Sequence, residues 1–393
     1  MDRRRFASLL VLAGLAGHAF FVPISIAGMQ IALAVAAAGL LLSGIRPART
    51  PLDWPALAFV AVAIFSDLVS PYGFPELISA TLWRSIAGFY IVAHGLRVAG
   101  NARLVVVCAA AGLALAAAVG LVQYQTGVDV VHLLGLRERQ ALVDAPGVPG
   151  HYGAMGFFTS RLTYGHNAAT LLALFGGALA ARALEKREAL FVAAAGTLGL
   201  FAVAVTFDRA AYLGLAAAGV AILAFAERRV RKALAAIAMA VVLFAALHPG
   251  VRGRFASSFS AGANPDRVFL WSRAVEIIRD HPLRGVGFAN YSRALPPYYD
   301  RVDPSFFMRT WAHNLELSTL AEMGPLGLLA LLWLFGAAAL ALLRRIRTEP
   351  FALGGLAALC ALFTIGQAHD VFYDTKVMYA LWLSLGLSLG PRS

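Results

Sequence analysis

The sequence predicts an all-α integral membrane protein with about twelve transmembrane helices. Three observations predict it. Hydrophobic residues make up 60% of the 393, charged residues only 14%, and mean hydropathy is +0.73. A soluble domain of this length could not hide that much apolar surface. Apolar stretches near the roughly 20 residues that a helix needs to cross a bilayer recur along the chain. The basic residues gather in short segments that alternate with them, as topology signals do.

The first span, 6–22, follows Met1-Asp2-Arg3-Arg4-Arg5. No clear small-residue cleavage site follows, so it reads as a retained helix rather than a signal peptide. Pro23 separates it from the second, 24–43. Spans 54–70 and 77–97 are joined by Ser70-Pro71-Tyr72-Gly73-Phe74-Pro75-Glu76, which has no basic residue. Span 103–124 comes next. Beyond a segment over 125–160 lie 162–181, 189–206, 210–226 and 233–248. A long polar stretch, 249–312, then precedes 317–343, 351–369 and 375–390. The expected organisation is therefore nine spans in 1–248, a large loop over 249–312, and three spans in 313–393.

With the N-terminus in the cytoplasm, the inner side receives eighteen of the 33 Lys and Arg residues, all in short segments such as Arg182 to Arg187 and Arg228 to Lys232. Of the short outer turns, Ser70 to Glu76 carries none and His369 to Lys376 carries one, Lys376. This is the positive-inside pattern, which an odd number of spans would spoil. Both termini are expected in the cytoplasm, and 125–160 and 249–312 outside. The net charge of +12 follows this distribution, so no nucleic-acid partner is expected. Cys108 and Cys360 both lie in apolar runs, which leaves neither a disulfide framework nor a thiolate metal site. No Walker or Rossmann fingerprint and no repeat of 20 to 50 residues is present.

Within the large loop, Asn264-Pro265-Asp266-Arg267 reads as a helix start: a capping Asn, Pro at the first position, Asp in the first turn. Val268, Trp271, Val275 and Ile278 keep helical spacing until His281-Pro282 ends it. Arg284-Gly285-Val286-Gly287-Phe288 follows as a glycine turn. Phe288 to Leu295 is too weak a helix for a phosphate-cradling loop. In the helix after His313, Met323-Gly324-Pro325 should break 314–322 from the spanning piece 326–343. Broken membrane helices are tolerated where they line a cavity.

Several ionisable residues fall at or inside the spans, where they are costly and usually face a cavity. Arg84 lies mid-span, where snorkelling or a carboxylate partner would explain it. Arg161 precedes a span in Arg161-Leu162-Thr163-Tyr164-Gly165-His166-Asn167. Asp208-Arg209 joins two close spans and could be a local ion pair. Glu316 and Glu322 follow His313, itself readable as a helix cap. His369, Asp370 and Asp374 lack the spacing of a zinc site. Arg161, Arg209, the loop arginines and His313 all map to the outer face. Arginines are the natural receptor for a diphosphate, and a neutral histidine beside them can take a proton from a hydroxyl. That combination suggests group transfer from a phosphorylated lipid donor to an alcohol.

Four runs carry a resemblance. They are Asp266-Arg267-Val268-Phe269-Leu270-Trp271-Ser272-Arg273-Ala274, Asp280-His281-Pro282-Leu283-Arg284-Gly285-Val286-Gly287, Ala312-His313-Asn314-Leu315-Glu316-Leu317, and Glu322-Met323-Gly324-Pro325-Leu326-Gly327. Together they resemble the signature of the O-antigen ligase and polymerase superfamily. Thr206-Phe207-Asp208-Arg209-Ala210-Ala211 is similar to that family's Ser-Arg-Gly-Ala pattern, with Asp in place of Ser. The similarity covers about 150 to 345.

The resemblance implies a GT-C-type membrane glycosyltransferase on the periplasmic face of a Gram-negative inner membrane. It implies glycan transfer from undecaprenyl diphosphate, either to lipid A-core (a ligase) or to another repeat unit on the same carrier (a polymerase). No cofactor, nucleotide sugar, ATP or metal is implied. His313, Arg209 and Arg267 correspond to the motif's catalytic residues. Arg161, His166, Arg273, Asn314 and Glu316 are the expected substrate-binding residues. The ligase is favoured because 249–312 holds nine arginines against five acidic residues, an excess suited to an anionic acceptor. A protein O-oligosaccharyltransferase shares the histidine motif but usually carries an additional C-terminal domain. A lipid-linked glycan transporter would commonly show matching halves and midplane sites, and no matching halves are detected here.

Overall fold

The computed structural model describes residues 2–73, 76–256, 265–299 and 311–391. Among them it is helical throughout, with no β-strand beyond one isolated bridge between Asp144 and Tyr152. The helices are α1 (Arg3–Phe21), α2 (Ile26–Ser43), α3 (Asp53–Leu68), α4 (Glu76–Ala99), α5 (Ala102–Thr126), α6 (Val130–Leu133), α7 (Arg161–Ala180) and α8 (Lys186–Ala204). They continue as α9 (Arg209–Phe225), α10 (Arg228–Leu247), α11 (Pro249–Ala256), α12 (Pro265–Asp280), α13 (Tyr291–Ala294), α14 (Leu315–Arg345), α15 (Ala352–Gly366) and α16 (Thr375–Leu389).

Each of the twelve apolar segments forms a helix. Among the described residues, four of them, α2, α5, α8 and α14, are long and apolar enough to cross a membrane by length and composition, and α9, α15 and α16 are shorter apolar helices. The long polar stretch becomes α11, α12 and α13 with a 3-10 turn at Pro296–Tyr298. The weak helical signal over Phe288 to Leu295 yields only the four residues of α13. Asn264, proposed to cap α12, lies outside the described residues.

The bundle is organised around α7. Its residues are buried on nearly every side, the signature of a helix surrounded by others. It packs against α15, α9, α8 and α16. α1 and α2 form a tight antiparallel pair, in which a Cβ at Gly14 would lie 2.4 Å from the backbone nitrogen of Ala36. Only a small residue permits that approach. Asn167 on α7 donates to the carbonyl of Lys376 at 2.8 Å, tying α7 to the start of α16.

α14 is broken where the sequence predicts. Gly324 has φ +65° and ψ −170°, and Pro325 follows. Proline cannot donate to the carbonyl four residues back, so the break frees the carbonyls of Ala321 and Glu322. The Gly285-Val286-Gly287 turn fills the gap. Val286 N donates to Ala321 O at 3.0 Å, and Gly287 N to Glu322 O at 2.8 Å. The approach is so close that a Cβ on Gly285 would sit 2.4 Å from the Glu322 carbonyl, and Gly285 has φ +67°. The turn is therefore a structural clasp. A small second core of Leu270, Ala274, Ile277, Tyr291, Leu295 and Ala321 joins α12, α13 and the first piece of α14 into one unit.

Candidate active site

The α1–α2 turn, the segment before α7, the approach to α14 and the α15–α16 turn meet around a cleft of about 910 Å³. His166, His313, His369, Asp370, Asp374 and Lys376 line it, with Phe21, Ile24, Leu136 and Trp311 supplying apolar wall. The cleft opens beside His313, and Arg209 and Arg267 are not among the residues that line it.

His313 stands immediately before α14. It does not cap the helix: Asn314 does, its Oδ1 accepting from Leu317 N at 2.9 Å. His313 is held in the left-handed region, at φ +53°, a conformation that costs a non-glycine residue energy and persists only where neighbours impose it. Asp370 imposes it. Its Oδ2 accepts from His313 N at 2.6 Å, and its Oδ1 takes the hydroxyl of Ser318. The His313 ring nitrogen Nδ1 lies 4.0 Å from the same carboxylate, and the side chain is 34% exposed, open to the cleft. Burial pushes the Asp370 pKa up to about 6, although Ser318 and the amides of His313 and Asn314 pull it down. Trp311 stacks on Tyr373 at 4.2 Å, and the Tyr373 hydroxyl donates to Glu322. The approach to His313 is thereby fixed to the clasp at the break.

Behind His313 lies a second group. The His369 ring is 5.6 Å from that of His313 and 4.3 Å from that of His166. His166 Nε2 is 2.9 Å from Asp208 Oδ2, and both side chains are almost fully buried. Asp208 also caps α9, accepting from Ala210 N at 3.0 Å. His166, Asp208 and His369 have the composition of a metal-ligand set, with ligand atoms all within 4.8 Å. Yet the 2.9 Å pair is closer than the roughly 3.4 Å edge of a tetrahedral site with bonds of about 2.1 Å. It is a close charge contact in which neither atom has a hydrogen-bond partner. Burial raises the pKa of Asp208, but His166, His369 and the Ala210 amide together bring it below the ordinary value. Burial, with His166, Arg267 and His313 nearby, drives His369 well below 6.5 despite the opposing pull of Asp208.

Of the sequence-predicted residues, His313 and His166 meet at the cleft. Arg209 opens α9 one residue beyond Asp208, and Arg267 lies close enough to bear on the charge of His369. Arg161 donates to the carbonyls of Thr206, at 2.5 Å, and Phe207, at 3.1 Å, bracing the turn that delivers Asp208 and Arg209. Arg273 pairs with Glu276 at 2.7 Å, donates to Tyr298 O and lies over Phe269. Glu316 accepts from Gln367 at 2.7 Å, and Asn314 Nδ2 donates to Gln367 O, so both fasten α14 to the end of α15. In the sequence His369 and Asp370 stand out only as charges at a span end that lack the spacing of a zinc site. Lys376 and Trp311, which line the cleft, carried no signal of a site.

Residues 193–332 match the O-antigen ligase family. No curated protein matches the chain. The region matched to O-antigen ligases runs from α8 into α14 and contains Arg209, Arg267 and His313, while His166, His369 and Asp370 lie beyond it. Members of the superfamily are glycosyltransferase-like enzymes that use substrates of the lipid-linked glycan and lipid A-core type. With its apolar helices, the chain has the character of a multi-pass membrane protein.

Proposed function

We propose that the protein is an O-antigen ligase of the GT-C type. It moves polysaccharide from undecaprenyl diphosphate to lipid A-core on the periplasmic face of the inner membrane, across twelve spans with both termini in the cytoplasm. The observation that carries this reading is His313, locked by Asp370 at the lip of a cleft large enough for a sugar and its diphosphate. His313 takes the proton of the acceptor hydroxyl as that oxygen attacks the anomeric carbon. The bond from that carbon to the diphosphate breaks with inversion, and the electron pair leaves with undecaprenyl diphosphate. Arg209 and Arg267 hold the diphosphate and offset the charge that grows on it. No step requires a metal. Arg161, Arg273, Asn314 and Glu316 support the site by bracing the elements that present these groups.

The direct test is transfer in vitro with purified His313→Ala and Arg267→Ala, each expected to lose at least about a hundredfold in kcat. Wild-type turnover in either removes that residue from the mechanism. Lipopolysaccharide gels of a deletion strain separate ligase from polymerase. Loss of all long chains with polymer retained on the carrier supports the ligase, and cores capped by a single repeat support the polymerase.

A further inference from the structure

No hydrogen bond explains the close contact between His166 and Asp208. We infer that His166, Asp208 and His369 form a site for one first-row divalent metal ion in six-coordinate geometry, set into the inner wall of the cleft. Its part is structural: it ties α7, the α8–α9 turn and the α15–α16 turn to one another. The ion takes no part in the proposed transfer step, and the inference stands apart from that reading.

The direction in which the atoms point carries it. His166 Nε2 and Asp208 Oδ2 lie 2.9 Å apart, near enough for a hydrogen bond, and neither makes one. A ring N–H aimed at the oxygen from that distance would be bonded to it. The two atoms therefore face something other than each other. Neighbouring ligands of one ion are arranged in that way, each directed at the metal. In an octahedral shell with bonds of about 2.1 Å, adjacent ligands stand about 3.0 Å apart, a spacing that the pair matches. His369 supplies the third atom, within 4.8 Å of the other two. Ligands of one such ion are at most about 4.2 Å apart, so the His369 ring, the least buried of the three, turns inward on binding. Among the described residues no other three His, Cys, Asp or Glu side chains converge in this way.

Burial argues the same way. Both side chains of the pair are almost fully buried, and a buried polar atom without a partner is costly. One shared cation removes that cost at both atoms. Asp208 Oδ1 is already engaged, accepting from Ala210 N at 3.0 Å, which leaves Oδ2 for the ion. Gly165 on α7 gives the carboxylate its room, since a Cβ there would stand 3.1 Å from Oδ2. His166 and His369 both line the cleft, which provides a way in and leaves the remaining coordination positions to water. Imidazole and carboxylate are ligand types that first-row divalent ions accept. Asp374, which bears on His166, adds a second negative charge, while Arg267 bears on His369 as an opposing one. His313 lies outside the set, its ring 5.6 Å from that of His369.

The test uses the full-length protein in micelles, stripped with EDTA and then freed of the chelator, with neither donor nor acceptor present. Nickel binding is measured by calorimetry in wild type, Asp208→Asn, His369→Gln and His313→Gln. Wild type should bind one ion per chain, and nickel should raise its unfolding temperature. Asp208→Asn and His369→Gln should each bind at least about tenfold more weakly and lose the thermal shift. His313→Gln should bind as wild type does. Cobalt in the site should show the weak visible absorption of a six-coordinate ion. Absence of binding in wild type overturns the inference. So does undiminished binding in Asp208→Asn and His369→Gln, or the intense absorption of four-coordinate cobalt. Should a variant fail to fold, wild type still decides: bound nickel must shield His369 from diethyl pyrocarbonate, read by mass spectrometry, and an unshielded His369 overturns the site. None of these readouts involves glycan transfer, so failure here leaves the ligase reading standing, and failure of the ligase reading leaves the metal site standing.

Discussion

Replacing Asp370 tests the idea that one buried carboxylate sets the position of His313, the proposed base. Asp370 accepts from His313 N, Asn314 N and the Ser318 hydroxyl. Alanine leaves all three donors without that acceptor. At about 1 kcal/mol for each partly buried group, the loss is about 3 kcal/mol. The left-handed backbone of His313, no longer held, relaxes toward an ordinary conformation. A displacement of about 1 Å at the base is enough for roughly a hundredfold loss of kcat. Asparagine keeps one acceptor oxygen and should fall between. Stability adds a pH signature. The folded pKa is raised from the ordinary 3.8 to about 6, so this group favours the folded state most at low pH. That contribution disappears as pH rises from about 4 through about 6, and two units correspond to about 3 kcal/mol. Asparagine removes the ionisation, so Asp370→Asn should be less destabilising at pH 7 than at pH 4. The assays are thermal unfolding in micelles at the two pH values and kcat for transfer at pH 7.5. An Asp370→Ala protein that unfolds at the wild-type temperature and transfers at the wild-type rate would refute the anchoring argument.

Gly285→Ala should cost about 2 kcal/mol or more from its left-handed φ and the 2.4 Å collision with the Glu322 carbonyl, and should lower kcat through movement of the clasp; unchanged unfolding temperature and kcat would count against the clasp. Lys376→Met should lower stability by about 3 kcal/mol, read as a lower unfolding temperature in micelles. The ammonium donates to the carbonyls of Ile24 at 3.0 Å and Phe157 at 3.1 Å and lies over the Phe158 ring, and its loss removes a positive charge from beside Asp374. Treatment with EDTA should leave in vitro transfer unchanged, and restoration of a lost rate by added zinc or magnesium would contradict the metal-free mechanism.

Much of the fold was readable because its determinants are local. Apolar runs of helical length gave the helices, and Met323-Gly324-Pro325 gave the break, since proline and glycine act on their own backbone. The glycine turn at 285–287 was readable as a turn but not as a clasp. Its partners, the carbonyls of Ala321 and Glu322, lie more than thirty residues away and become available only through the break. The same limit governed the site. His313 stood out at the mouth of a long polar stretch, but its anchor Asp370 is 57 residues on and joins it only when the α15–α16 turn folds back. The pairing of His166 with Asp208 likewise depends on α7 packing against α9. The arginines were legible by type, but not which of them brace backbone carbonyls, as Arg161 does.

The discontinuity in α14 also has a mechanical consequence. Bilayers differ in thickness, and a spanning helix adapts by tilting. In an unbroken α14 that tilt would travel along a rigid rod and swing His313 away from the turn that holds it. Here the rod has a joint. The lower piece can lean at Gly324 while the upper piece stays buttoned to α12 and the 285–287 loop. The residues around His313 can then keep their alignment while the lower piece follows the thickness of the surrounding lipid.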